Sequence, residues 1–238
     1  QTKGRLPNKM FFYDWTFLIV LPGLVLALIA QAGVSGTFAK YQRVPARIGL
    51  TGAMLARRML DSRGLEDVAI ERVPGKLSDH YDPSERVLRL SEGVYGSTSI
   101  AALGVAAHET GHAIQDQEHY APLKLRTAIV PVVGFGSNLS WPIFLAGLIF
   151  SWEPLLLAGI ILFSLAVVFS LLTLPVEFNA SGRALATLSS GGYLDSDEMT
   201  GASKVLRAAA MTYVAAAIGA ILQLVRLLLL AGVGRRRD

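Results

Sequence analysis

The sequence predicts a mainly α-helical membrane protein, with four transmembrane helices and a small α+β domain inserted between the first and the second. Hydrophobic residues fill 52% of the 238 positions and mean hydropathy is +0.46, which points away from an ordinary soluble domain. Four apolar runs, at roughly 11–33, 128–150, 154–174 and 208–232, approach or exceed the ~20 residues needed to cross a bilayer. Four runs of that length are more than a soluble core this small can cover, so a buried-core reading fails.

Taken in order, residues 1–10 form a polar tail without an initiating Met until Met10, which is expected to be the natural start. Lys3, Arg5 and Lys9 precede the first run, but it is too long for a signal peptide and has no clear small-residue cleavage site, so it reads as an anchor. The polar stretch 34–127 opens with an amphipathic helix near 51–62, capped by Thr51, presenting Met54, Leu55, Met59 and Leu60 on one face and stopped by Gly64. Strands are expected at 67–73, 77–81 and 86–90, separated by Pro74-Gly75 and Asp82-Pro83 turns. A helix follows: Ser97 and Thr98 can cap it, Ile100 to Ala107 is small and apolar, and no proline appears before Pro122. Ser151, Trp152 and Glu153 alone separate the second and third runs, which therefore form an antiparallel hairpin. A second polar stretch, 175–207, and a basic tail, 233–238, complete the chain. Asn138, Gln223 and Arg226 fall in or near the runs and need partners or a route to the interface.

Two spans separate the stretches 34–127 and 175–207, so both emerge on one face of the membrane. That face carries 15 of the 22 Lys and Arg, which by the positive-inside rule places it in the cytoplasm of a bacterial inner membrane. Arg235, Arg236 and Arg237 argue the other way. The pI of 9.5 would suit a nucleic-acid-binding protein, but the basic residues alternate with acidic ones and cluster beside spans, so the lipid bilayer is the expected partner. Cysteine is absent, which excludes disulfides and thiolate ligands.

Residues 108–112 read His-Glu-Thr-Gly-His. On a helix, His108 and His112 share a face and both imidazoles reach one Zn²⁺, while Glu109, about 100° round, is placed to accept a proton from water in the metal's open position. The plain alternative is a polar helix face with two solvated histidines. A catalytic zinc needs a third protein ligand. A metzincin would have Gly and His at the positions held by Gln115 and Glu118. His119 is two turns past His112, too far to share an ion, and His80 would need the sheet edge to fold over the site. An arrangement within the bilayer using Asp195 fails because the apolar run before His108 is too short to span. Glu177 fits better: it follows the third run by three residues, on the motif's face of the membrane, where an unpaired carboxylate beside apolar surface is costly. Its plain alternative is an interfacial Glu reaching water.

Leu50-Thr51-Gly52, Ala56-Arg57-Arg58, Asp79 to Pro83, Val105 to Gln115, Tyr120 to Leu123, Leu174 to Ser181 and Thr212-Tyr213-Val214 together resemble the neutral zinc metallopeptidases of the YugP-like bacterial membrane family, over nearly all of the chain from Met10 on. The resemblance implies a zincin-like domain, one Zn²⁺ per chain, His108 and His112 as ligands, Glu109 as base and Glu177 as third ligand. It also implies kinship with HtpX-type membrane gluzincins, in which an Asp follows the third Glu by four residues; here that place is Ser181, so the hydrogen-bond partner of the zinc histidines, Ser181 or Asn179, is left open. The expected activity is hydrolysis of membrane-proximal protein or peptide substrates, with the edge of strand Arg86-Val87-Leu88-Arg89-Leu90 pairing with substrate and His80, Tyr81 or Arg183 stabilising the oxyanion. A zinc-stabilised scaffold without turnover is the competing class. Substrate identity and oligomeric state are not legible in the sequence.

Overall fold

A computed structural model describes residues 15–232; the expectations for the 1–10 tail, the first residues of the 11–33 run and the 233–238 tail fall outside the described residues. Mostly helical, the chain has four helices long and apolar enough to cross a membrane: α1 (Phe17–Tyr41), α5 (Ala121–Ile149), α6 (Glu153–Ser190) and α7 (Ser196–Leu230). Between α1 and α5 lie α2 (Gly52–Asp61), β1 (Ala69–Val73), β2 (His80–Asp82), β3 (Val87–Ser91), α3 (Glu92–Tyr95) and α4 (Ile100–Gln117). No more than 28% of any span's most apolar stretch is buried within the protein. The outward faces, among them Leu28, Phe135 and Ile161, are apolar and exposed, a surface suited to acyl chains and costly in water. Proline stands inside three of these helices, at positions 22, 131, 142 and 175, as membrane helices tolerate. The α5–α6 turn is tight, and Gly159 makes the hairpin close: a Cβ there would fall 2.7 Å from the Phe144 Cβ.

The helices outrun their apolar stretches. The 175–207 stretch is not a free-standing segment: α6 continues to Ser190 and α7 starts at Ser196. The reason is periodicity, for Val176, Ala180, Ala184 and Leu188 recur every four residues beyond the apolar run and all are fully buried. A capping box between Asp195 and Glu198 begins α7. The loop after α1 is tied to that start, with the Arg47 backbone N–H donating to Glu198 Oε1 at 2.8 Å and its guanidinium to Asp195 and Asp197. Both polar stretches therefore meet at one end of the helix bundle.

In the mixed segment, Thr51 caps α2 by accepting from the Met54 backbone N–H. The buried face is Leu55, Ala56, Met59 and Leu60; Met54, expected on that face, is 49% exposed. The sheet has the order β1-β3-β2, with β3 parallel to β1 and antiparallel to β2. This corrects the expected edge: Arg86–Leu90 corresponds to the central strand, hydrogen-bonded on both sides, with Leu88 and Leu90 fully buried. The cap of α4 is Ser99, which accepts from Ala102 N–H, and not Ser97 or Thr98. Helix α4 runs through the centre of this end of the protein. One side packs with α2 and the sheet around Leu60, Leu88 and Ala106, the other with α6 and α7 around Leu103, Ala184 and Leu206.

Candidate metal centre

Helix α4 crosses α6 where Gly111 meets Ala180. A Cβ at 111 would lie 2.5 Å from the Ala180 carbonyl oxygen, so glycine inside the His-Glu-Thr-Gly-His run is what allows the two backbones to approach. The approach brings His108 and His112 to Glu177. His108 Nε2 is 3.1 Å and His112 Nε2 3.7 Å from Glu177 Oε2, and the imidazoles stand edge to face with centroids 4.8 Å apart. Glu177 is 2% exposed, and Arg126, on the first turns of α5, donates to its other oxygen, Oε1, at 3.2 Å. One carboxylate oxygen is thus held by a guanidinium while the second faces both imidazoles.

The Nδ1 atoms are anchored elsewhere. His108 Nδ1 is 3.1 Å from Ser181 Oγ and His112 Nδ1 is 3.0 Å from Gln115 Oε1. Gln115 in turn donates to the Val176 carbonyl oxygen at 2.9 Å and to Asn179 Oδ1 at 2.8 Å. Anchored Nδ1 atoms orient both rings with Nε2 inward, as histidine ligands require. Gln115 was missed by sequence reasoning, which used that position to exclude a metzincin; its signal was the spacing of three from His112, which sets both on one helix face.

Donor atoms of His108, His112 and Glu177 lie within 4.8 Å of one another. A tetrahedral zinc ion with ligand bonds of about 2.1 Å separates its ligands by about 3.4 Å, and the two separations of 3.1 and 3.7 Å straddle that figure. The residues fit the ion. Among the described residues this group holds three donors, which leaves a tetrahedral ion one open position.

Glu109 projects beside the cluster, buried, its carboxyl pushed up to about 7 by that burial, with Glu177 and Asp79 adding to the effect, while His108 and the Tyr81 backbone N–H pull it back. A cavity of about 250 Å³ opens onto His108, Glu109 and Glu177 and is also lined by Tyr213 of α7. The three sequence candidates for an oxyanion donor do not line it. The Tyr81 hydroxyl donates to Asp116 at 2.9 Å, Arg183 donates to Asn179 and Glu118, and His80 is exposed with Nδ1 beside the Ser78 carbonyl oxygen. His119 lies beyond the end of α4, exposed.

Four apolar helices and a two-histidine, one-glutamate cluster beside a buried glutamate are features of the membrane zinc metallopeptidase class. The chain belongs to the family described as "Putative neutral zinc metallopeptidase", whose sequence profile matches residues 16–232. It is 50% identical over 217 residues to "Putative membrane protease YugP" of Bacillus subtilis (strain 168), an alignment covering 91% of this chain and 96% of that protein. No solved structure matches the chain.

Proposed function

We propose that the chain is a membrane-bound zinc metalloendopeptidase, a gluzincin whose zincin-like domain occupies 34–127, between the first two membrane helices, with its third ligand supplied from 175–207. It binds one Zn²⁺ through His108, His112 and Glu177 and hydrolyses peptide bonds in membrane-proximal segments of proteins or peptides. The observation that carries this reading is the pairing of a three-donor cluster with a buried carboxylate, Glu109, on one cavity. A scaffold zinc would be closed by four protein ligands, and a fourth is not found with these three among the described residues.

When bound, the ion supplies Lewis acidity, polarising a peptide carbonyl and lowering the pKa of water toward ~7. Glu109 accepts a proton from the attacking water as its oxygen bonds to the peptide carbonyl carbon, and then delivers that proton to the amine nitrogen as the C–N bond breaks and the carbonyl re-forms. Ser181 and Gln115 hold the two rings, and Arg126 holds Glu177 by Oε1, leaving Oε2 for the metal. Tyr213, the phenol lining this cavity, donates to the oxygen that gains charge. The site faces the cytoplasm of a bacterial inner membrane, by the distribution of Lys and Arg.

Purified protein assayed on casein and on labelled membrane-protein fragments tests the proposal. Glu109→Gln retains zinc and loses cleavage, His108→Ala loses the metal, and Tyr213→Phe keeps zinc and KM while kcat falls by on the order of 10²-fold. Equal turnover by wild type and Glu109→Gln ends the reading.

A further inference from the structure

Asn138 stands in the middle of α5, ten residues into the 128–150 run and twelve from its end. At 1.5 Å per residue that leaves roughly 15–18 Å of hydrocarbon on either side, out of reach of water and headgroups. The hydroxyls of Ser140, Ser164, Ser170 and Thr173 in α5 and α6 are satisfied by carbonyl oxygens of the preceding turn. Asn138 has no such arrangement: it is exposed, and its side chain makes no hydrogen bond with the described residues. An amide carries two donor protons and an acceptor oxygen, and leaving them bare against acyl chains is costly.

The amide belongs to a face. Gly134, Asn138, Trp141, Leu145 and Ile149 recur every three or four residues along one side of α5, and all are exposed. The other side, with Val133, Gly136, Ser140, Phe144 and Gly147, is buried, and Gly136 and Gly147 lie against Leu165 and Leu156 of α6. Helix α5 packs chiefly on α6, α6 on α7 and α7 on α1, so α5 ends a row of four helices and its outer face is open. A Cβ on Gly134 would meet nothing within 4 Å. One turn from Asn138, that glycine leaves room for a second backbone to come close, and membrane helices associate through small residues and amide hydrogen bonds of this kind.

We propose that this face of α5 is an interface between two copies of the chain, in which Asn138 exchanges hydrogen bonds with Asn138 of the partner subunit. Depth selects that occupant. Copies insert with one orientation, so a two-fold axis along the membrane normal sets the same residue of each at the same level. An unrelated helix would need a polar group at that level, whereas a primary amide, donor and acceptor at once, complements itself. One polar residue in an apolar seam also fixes the register of the pair. The cavity at the metal centre has no residue of α5 in its lining, so the interface is independent of the peptidase reading.

The chain has no cysteine, which lets single introduced cysteines report proximity. Full-length Glu66→Cys protein, labelled with donor or acceptor dye, is mixed and held in phosphatidylcholine vesicles at falling protein-to-lipid ratios. Energy transfer is expected to follow a monomer–dimer equilibrium. Asn138→Leu weakens association by roughly 3- to 30-fold, as does Gly134→Leu, while Asn138→Gln, which keeps the amide, restores it. Oxidation is expected to cross-link Leu145→Cys, on the α5 face, and to leave Leu28→Cys, on α1, as monomer. Unchanged helix content by circular dichroism shows that each variant is folded. Equal association by wild type and Asn138→Leu, equal cross-linking at 145 and 28, or a protein that stays monomeric at every ratio overturns the interface. So does a monomer that pairs through α5 with a different membrane protein.

Discussion

Gln115 and Ser181 show how much a single hydrogen bond sets at this site. Each engages an Nδ1 atom and so fixes which nitrogen faces the cluster. Gln115→Leu and Ser181→Ala are expected to weaken zinc binding by roughly 10–100-fold, read by competition with a chromophoric chelator; unchanged affinity would remove both from the site. Glu109 carries a pH signature in chelator-treated protein. Burial holds its folded pKa at about 7 against 4.5 for the free side chain, so the folded state keeps the proton longer than the unfolded one. Stability from this group is full below pH 4.5 and is lost as pH rises through 7, by up to about 3 kcal/mol. Thermal melts of metal-free wild type should fall across that window, and those of Glu109→Gln should not.

At the scale of elements, the site depends on the α4–α6 crossing. Gly111 permits it, and a methyl group there must drive the Ala180 carbonyl away. Overpacking of this kind costs about 1–3 kcal/mol, partly offset by alanine's better helix propensity. Gly111→Ala is therefore expected to lower the melting temperature and the zinc affinity together, whereas Gly182→Ala, on α6 with open space around it, lowers neither. The helix of the motif was legible because small apolar residues precede it and a serine can cap it. The third strand was legible as a strand but not as a centre: alternation in 86–90 reports burial on a face, and says nothing of how many neighbours pair along the edges.

Across the whole molecule, the polar ends of α1, α6 and α7 and the mixed segment gather at one end of the four long helices, joined by Arg47 to Asp195 and Asp197. These pairs are well exposed, where solvent screening leaves an ion pair little net stability, so the gathering is held chiefly by the apolar contacts of α4 with α6 and α7. Reporter fusions test its sidedness. Alkaline phosphatase joined at Arg72 should be inactive, and joined after Gly232 it should be active outside the cell; activity at Arg72 would reverse the assignment.

Sequence by itself determined the four apolar runs, the helix bearing His108, Glu109 and His112, and the pairing of that helix with a membrane, because hydropathy and a spacing of four are local properties of a chain. It singled out Glu177 by its place after the third run and through the resemblance. The tertiary structure decided which atoms meet: Gln115 with His112, Ser181 with His108, Arg126 with Glu177, and Tyr213 in the cavity in place of Tyr81, His80 or Arg183. Those hydrogen bonds join residues as few as three and as many as 73 positions apart. The long ones follow from how closely α4, α6 and α7 pack, which no one-dimensional period encodes.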